Sequence, residues 1–207
     1  MEFYRRSQAI PFRLGVFPGS FNPITVAHVA LAGAALNLVD EVVFVLPREF
    51  PHKDFSGASF AQRLAILGEA AGENPRFSVA ASDGGLFLDI SSECSDAYGS
   101  DVRQSFLCGR DAAERIVSWD YGKPGVLDEM LARFDFLVAA RTGEYAPPER
   151  ERDAFHPLEL AGAYDWVSAS EVRGRIALGL PWHHLVPPAI HGMVQEIYAP
   201  TARQSAE

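Results

Sequence analysis

What this chain has little of narrows the field first. Its 207 residues include two cysteines, Cys94 and Cys108, and no CxxC pair. That argues against a thiolate metal centre or a disulfide framework, and two reduced thiols are expected. No apolar run approaches the roughly 20 residues that span a bilayer. The opening "MEFYRRSQAIPF" has too short an apolar part for a signal peptide, so a cytoplasmic protein is expected. Positive charge is scarce, with 18 Lys+Arg against 27 Asp+Glu and a formal net charge of −9. A nucleic acid or an anionic membrane is therefore not the expected partner. A small anion still is possible, because a few local cations and a helix N-terminus bind phosphate inside an acidic protein. Also missing are a GxGxxG fingerprint and the lysine of a P-loop, so a hydride-transfer enzyme and a P-loop NTPase both lose support.

The residues present describe one α/β domain. Hydrophobic content of 48% and charged content of 22% are those of an ordinary globular chain, and 207 residues suit a single domain over 1–207. Strand-like runs over Phe12–Phe17, Glu41–Leu46, Arg76–Ala81, Ser105–Gly109 and Phe134–Arg141 alternate with helical patterns over Ala27–Leu38, Ser59–Gly72 and Gly125–Phe134. The acidic stretch Asp89–Gln104 is poorly periodic and reads as a loop or short helix. The alternation predicts a doubly wound, mostly parallel sheet with a binding core over 10–142. Residues 143–163, rich in Pro and charge, are expected as a surface excursion, and 164–198 as a C-terminal helical part.

The stretch that asks for a function is "RLGVFPGSFNPITVAHVALAGAAL", Arg13–Leu36. It runs from a strand through Gly19-Ser20-Phe21-Asn22-Pro23 into a helix, where open α/β sheets bind ligands. Asn22 or Thr25 is a candidate N-cap, and Pro23 suits a first turn. The helix N-terminus offers N–H groups and positive partial charge to an anion, and His28 lies on the same face three residues after Thr25. A plain strand–turn–helix connection with a packed histidine is the alternative reading of these residues alone.

Four segments together resemble the HxGH nucleotidylyltransferase superfamily, and within it the bacterial nicotinate-mononucleotide adenylyltransferases. "GVFPGSFNPITVAH" is similar to the signature loop, and "LPREFPHK" to the segment ending in proline, histidine and a basic residue. "FLCGRDAAERIVSWD" resembles the G-x-D segment followed by tryptophan, and "VSASEVR" the late serine–arginine segment. "HHLVPPAIHGMVQEIY" looks like the family's tail. The resemblance implies a Rossmann-like nucleotidylyltransferase fold and transfer of AMP from ATP to nicotinate mononucleotide, with release of pyrophosphate, in NAD biosynthesis. It implies that His28, Thr25 and Arg173 act on the reacting phosphates. Gly19, Ser20, Phe21, Gly109, Asp111, Ser168 and Ser170 would bind the nucleotide. Lys53, beside His52, would meet the acceptor's phosphate and Trp119 its ring. Mg²⁺ is implied as cofactor, held mainly by substrate phosphates and not by a protein ligand set.

Three departures from the pattern leave alternatives open. Thr25 stands where HxGH has its first histidine and, with Pro18, leans towards the phosphopantetheine branch. Ala27 replaces a glycine beside the nucleotide, and "SSECSDAYGSDV" replaces the S-Y-T element that helps hold the nicotinate. Adenylyl or cytidylyl transfer to another phosphorylated acceptor is the second reading, and nucleotide binding without turnover the third. Residue by residue the plain explanations also stand: Ser168 with Glu171 is a capping box in any helix, and Trp119 could be core.

Overall fold

The structure, a computed structural model, describes residues 1–49, 57–139, 145–160, 162, 164 and 166–199. Seven strands form one sheet in the order β1-β4-β3-β2-β5-β6-β7: β1 (Glu2–Arg5), β2 (Arg13–Pro18), β3 (Glu41–Pro47), β4 (Phe77–Ser82), β5 (Arg103–Gly109), β6 (Phe134–Ala139) and β7 (Phe155–Leu158). Strands β2 to β7 pair in parallel, and β1 lies antiparallel on β4 at one edge. The chain winds from β2 outward through β3 and β4, then returns to the other side of β2 with β5. The reversal between β2 and β5 opens the crevice that doubly wound sheets use for ligands. The expected fold class is the observed one.

The buried strands explain the apolar runs. β3 is buried at every position and β4 likewise, as parallel strands covered on both faces must be. Alternate side chains feed two cores. Phe17, Val42, Phe44 and Leu46 pack beneath α1 (Val26–Ala35), α2 (Phe60–Gly72), α6 (Ala169–Ala177) and α7 (His191–Tyr198). Leu14, Val16, Val43, Val45, Phe106 and Phe136 pack beneath α3 (Phe87–Tyr98), α4 (Arg110–Ser118) and α5 (Val126–Arg133). Ser59 caps α2 by accepting from the Gln62 N–H at 3.2 Å, with Gln62 Oε1 accepting in return from the Ser59 N–H at 2.8 Å.

Three segments differ from their sequence-based expectation. The acidic stretch after residue 89 belongs to a twelve-residue helix, α3, because Ile90, Ser91 and Cys94 form a narrow buried stripe. Asp89 and Asp96 face outward, while Glu93 turns in to accept from Ser82 Oγ and the Gly84 N–H. Within the expected surface excursion, Phe155–Leu158 pairs with β6 as the far edge strand; only Phe155 and Leu158 turn inward, which hides the strand from a periodicity reading. Strand β1 is likewise a four-residue edge.

Burial sets the alkaline limit of this fold. Desolvation pushes the thiols of Cys94 and Cys108 from an ordinary 9.0 up to about 12. The Tyr98 hydroxyl is raised further still, by burial and by its hydrogen bond to buried Glu41. Each thiol is raised above its unfolded value, so its contribution is complete below pH 9 and is lost as pH rises from 9 to about 12. Urea titrations through that window should show stability falling by roughly 1.4 kcal/mol per pH unit for each thiol. Cys108→Ala should flatten the slope; a slope unchanged by the substitution would contradict the assignment.

Candidate active site

The loop from β2 into α1 is built around aromatic packing and a histidine. Phe21 has φ 41°, the left-handed region that a bulky residue occupies only when its surroundings hold it there. Its ring meets Phe17, Phe44 and His28 edge-on at centroid distances of 5.5, 5.6 and 5.5 Å. A Cβ at Gly19 would lie 2.8 Å from the tip of that ring, so the loop needs glycine there for close approach. Gly19→Ala should displace Phe21 and lower kcat/KM by about tenfold, since positional errors of this size are costly in preorganised sites. A wild-type kcat/KM in that variant would show that the Phe21 position is unimportant.

Thr25 is the N-cap of α1 and His28 its third helical residue. Thr25 is fully buried, with its Oγ1 2.8 Å from His28 Nδ1, and its backbone N–H donates to the same nitrogen at 3.0 Å. A backbone N–H can only donate, so Nδ1 is an acceptor and the proton of the neutral ring sits on Nε2. Thr25 thus orients the histidine as a single N–H donor, next to the positive end of α1. Ala27 turns its methyl into the apolar core at 7% exposure.

Side chains distant in sequence close around the back of this loop. Arg173, on α6, donates from Nη1 to the Asn22 carbonyl and from Nη2 to Ser170 Oγ at 3.2 Å. Arg63, on α2 and 4% exposed, donates from Nη1 to the Ser20 carbonyl at 3.0 Å. Tyr198, at the end of α7, donates its hydroxyl to Asn22 Oδ1 at 2.6 Å. Burial lowers the Arg63 pKa from its ordinary value, yet a guanidinium remains charged at neutral pH. Burial also pushes the Tyr198 hydroxyl up to about 12, against the pull of Arg173 and Arg63. Two cations and a helix N-terminus therefore converge on one short loop of an acidic protein, a local field suited to a polyanion.

The remaining sequence-derived candidates divide. Ser168 caps α6, accepting from the Glu171 N–H at 3.1 Å, which sets the helix carrying Ser170 and Arg173 against the loop. Gly109 ends β5, the neighbour of β2, and Asp111 is exposed in the first turn of α4. Trp119 follows α4 and is 52% exposed, at the rim of a cavity of about 410 Å³ shared with Lys123 and Pro124. It is not a core residue. His52 and Lys53 lie outside the described residues. No motif gives Arg63 or Tyr198 a role, since they lie 43 and 176 residues from their partners.

Among the described residues there is no cluster of three or more His, Cys, Asp or Glu side chains able to hold a metal ion. The donors around the loop are cationic or neutral, so a divalent ion fits this site as a companion of phosphate oxygens. No helix among the described residues is long and apolar enough to cross a membrane.

The chain matches known proteins in sequence and in fold. Residues 16–175 match the Cytidylyltransferase-like family. A probable nicotinate-nucleotide adenylyltransferase of Moorella thermoacetica is 28% identical over 211 residues, covering 92% of this chain and 93% of the relative. One of Citrifermentans bemidjiense is 29% identical over 210 residues, covering 89% and 96%. Among solved structures, the Plasmodium falciparum nicotinic acid mononucleotide adenylyltransferase complexed with NaAD superposes with a TM-score of 0.68 at 17% identity. That match covers 89% of this chain and 95% of that one.

Proposed function

Because this chain belongs to the cytidylyltransferase-like family, we propose that it transfers AMP from ATP to nicotinate mononucleotide, a step of NAD biosynthesis in the cytoplasm. The observation that carries the reading is the convergence of His28, Arg173 and the α1 N-terminus on the loop beyond β2, at the reversal of the sheet. A phosphate oxygen of the acceptor attacks the α-phosphorus of ATP; a new P–O bond forms, the bond to the bridging oxygen breaks, and pyrophosphate leaves. The attacking phosphate is already ionised at neutral pH, so no base is required. The protein's task is to position two polyanions and stabilise the charge on the oxygens in flight.

In this reading His28 Nε2–H donates to the α-phosphate, and Thr25 fixes the ring that does so. Arg173 and Ser170 hold the outer phosphates at the start of α6. Gly19, Ser20 and Phe21 line the space between the substrates, and Gly109 and Asp111 face the nucleoside from the neighbouring strand end. Trp119 offers an exposed aromatic face to the acceptor's ring, and Lys53 its cation to the acceptor's phosphate. Mg²⁺ would enter with the triphosphate and neutralise part of its charge.

Thr25 with Pro18 keeps a second acceptor, phosphopantetheine, in view. A pyrophosphate-release panel decides among the readings: ATP or CTP against nicotinate mononucleotide, its amide and phosphopantetheine. ATP with nicotinate mononucleotide should give the highest kcat/KM. A higher value for phosphopantetheine would reassign the acceptor, and silence throughout with retained ATP binding would leave a nucleotide-binding protein without turnover.

A further inference from the structure

The loop that this functional reading assigns to the phosphates is held in a conformation it would not choose. Phe21, at φ 41°, is a bulky residue in left-handed space, and such strain persists only where the surroundings over-determine it. Aromatic packing fixes its side chain, but the backbone on either side is fixed by other means. The carbonyl before it, on Ser20, is taken by Arg63, and the carbonyl after it, on Asn22, by Arg173. The Asn22 side chain is taken in turn by Tyr198. Gly57, at φ +108°, backs this last pair: a Cβ there would lie 3.6 Å from the Asn22 amide and 3.8 Å from the Tyr198 ring.

The direction of these bonds matters. The Ser20–Phe21 peptide is trans, so drawing its carbonyl inward to Arg63 turns the Phe21 N–H the opposite way, out of the buried side of the loop. Arg63 thus presents a donor as well as securing an acceptor. Tyr198 ties the same loop to α7, at the far end of the described chain, and its hydroxyl stays protonated well beyond neutral pH.

We infer that Arg63 and Tyr198 are positioning residues for the nucleotidyl transfer: they hold the Gly19–Thr25 loop from behind, through the Ser20 carbonyl and the Asn22 side chain. Neither is assigned a contact with substrate. The inference rests on the proposed function for its catalytic consequence, while the loop's restraint can be measured without turnover.

Tyr198→Phe removes one hydroxyl and keeps the ring, so folding is preserved. Hydrogen exchange of the substrate-free protein should then show the Gly19–Thr25 amides exchanging about fivefold faster, as loss of one net hydrogen bond implies, with β3 and β4 unchanged. Turnover with ATP should fall about five- to tenfold in kcat with acceptor KM within twofold, because misplacement and not binding is the defect. Asn22→Ala added to Tyr198→Phe should cost no more than the worse single change, since both break one bond. Arg63→Lys should retain more kcat than Arg63→Met. Wild-type loop exchange in Tyr198→Phe would overturn the inference, and so would exchange that rises equally in loop and sheet. If the wild-type protein turned over no acceptor yet the loop still loosened in Tyr198→Phe, the functional reading would fail and the positioning role would stand.

Discussion

His28→Ala is expected to lower kcat by about 10²-fold or more, while the melting temperature and the KM for ATP change little. The reasoning starts from the helix terminus. Thr25 caps α1 and supplies both its N–H and its hydroxyl to His28 Nδ1, at 3.0 and 2.8 Å. The ring packs against Phe17 and Phe21, and with Nδ1 accepting from Thr25 its donor is Nε2–H. A donor prearranged in this way needs no reorganisation as charge builds on the phosphoryl oxygens, and losing it costs about 2.7 kcal/mol or more of transition-state stabilisation. The ground-state triphosphate keeps Arg173 and the helix N-terminus, so KM is spared. Steady-state kinetics with a melting curve checks this. A wild-type kcat in His28→Ala would remove the histidine from the site.

The second large effect belongs to Arg173. Arg173→Ala should lower kcat/KM by about 10²- to 10³-fold, with both a higher ATP KM and a lower kcat. Its guanidinium serves two purposes at once: one nitrogen holds the Asn22 carbonyl, and the other lies 3.2 Å from Ser170 Oγ at the open start of α6. Removing it takes a cation from a chain whose formal net charge is already −9 and also frees the loop. Lysine would restore charge without the planar fork, so Arg173→Lys should recover less than a tenth of the lost activity. If lysine restored full activity, charge alone would explain the residue and its hold on Asn22 would be incidental. The contrast between the two variants, kcat alone for His28 and both constants for Arg173, separates a donor to the transition state from a clamp on the triphosphate.

Legibility of the sequence followed the range of the interactions. The strand Glu41–Pro47 announces itself because burial on both faces demands a continuous, largely β-branched apolar run. The cap at Ser168 depends on a neighbour three residues away, and it stands where the motif indicated. What could not be read were features fixed by distant partners. The acids of α3 masked a buried stripe of three residues, and β7 shows the core only Phe155 and Leu158. Thr25 illustrates a subtler point: the resemblance implies a part for it at the reacting phosphates, and the structure adds its full burial and its 2.8 Å contact with His28 Nδ1, which supports the histidine. Arg63 reads as one more charge on an amphipathic helix until α2 is packed against the loop. Tyr198 reads as the last aromatic of a tail until its hydroxyl reaches Asn22.

The central claim is that the bond broken lies between the α- and β-phosphates of ATP and the bond formed joins the α-phosphate to the acceptor's own phosphate. The direct test is isotopic: incubate the protein with nicotinate mononucleotide and ATP labelled at the α-phosphorus, and separately at the γ-phosphorus, then resolve the products. The α-label should appear in a dinucleotide carrying both mononucleotides, and the γ-label in pyrophosphate, with both signals strongly reduced in His28→Ala. A γ-label transferred to the acceptor, or an α-label confined to ADP or AMP, would contradict adenylyl transfer by this loop.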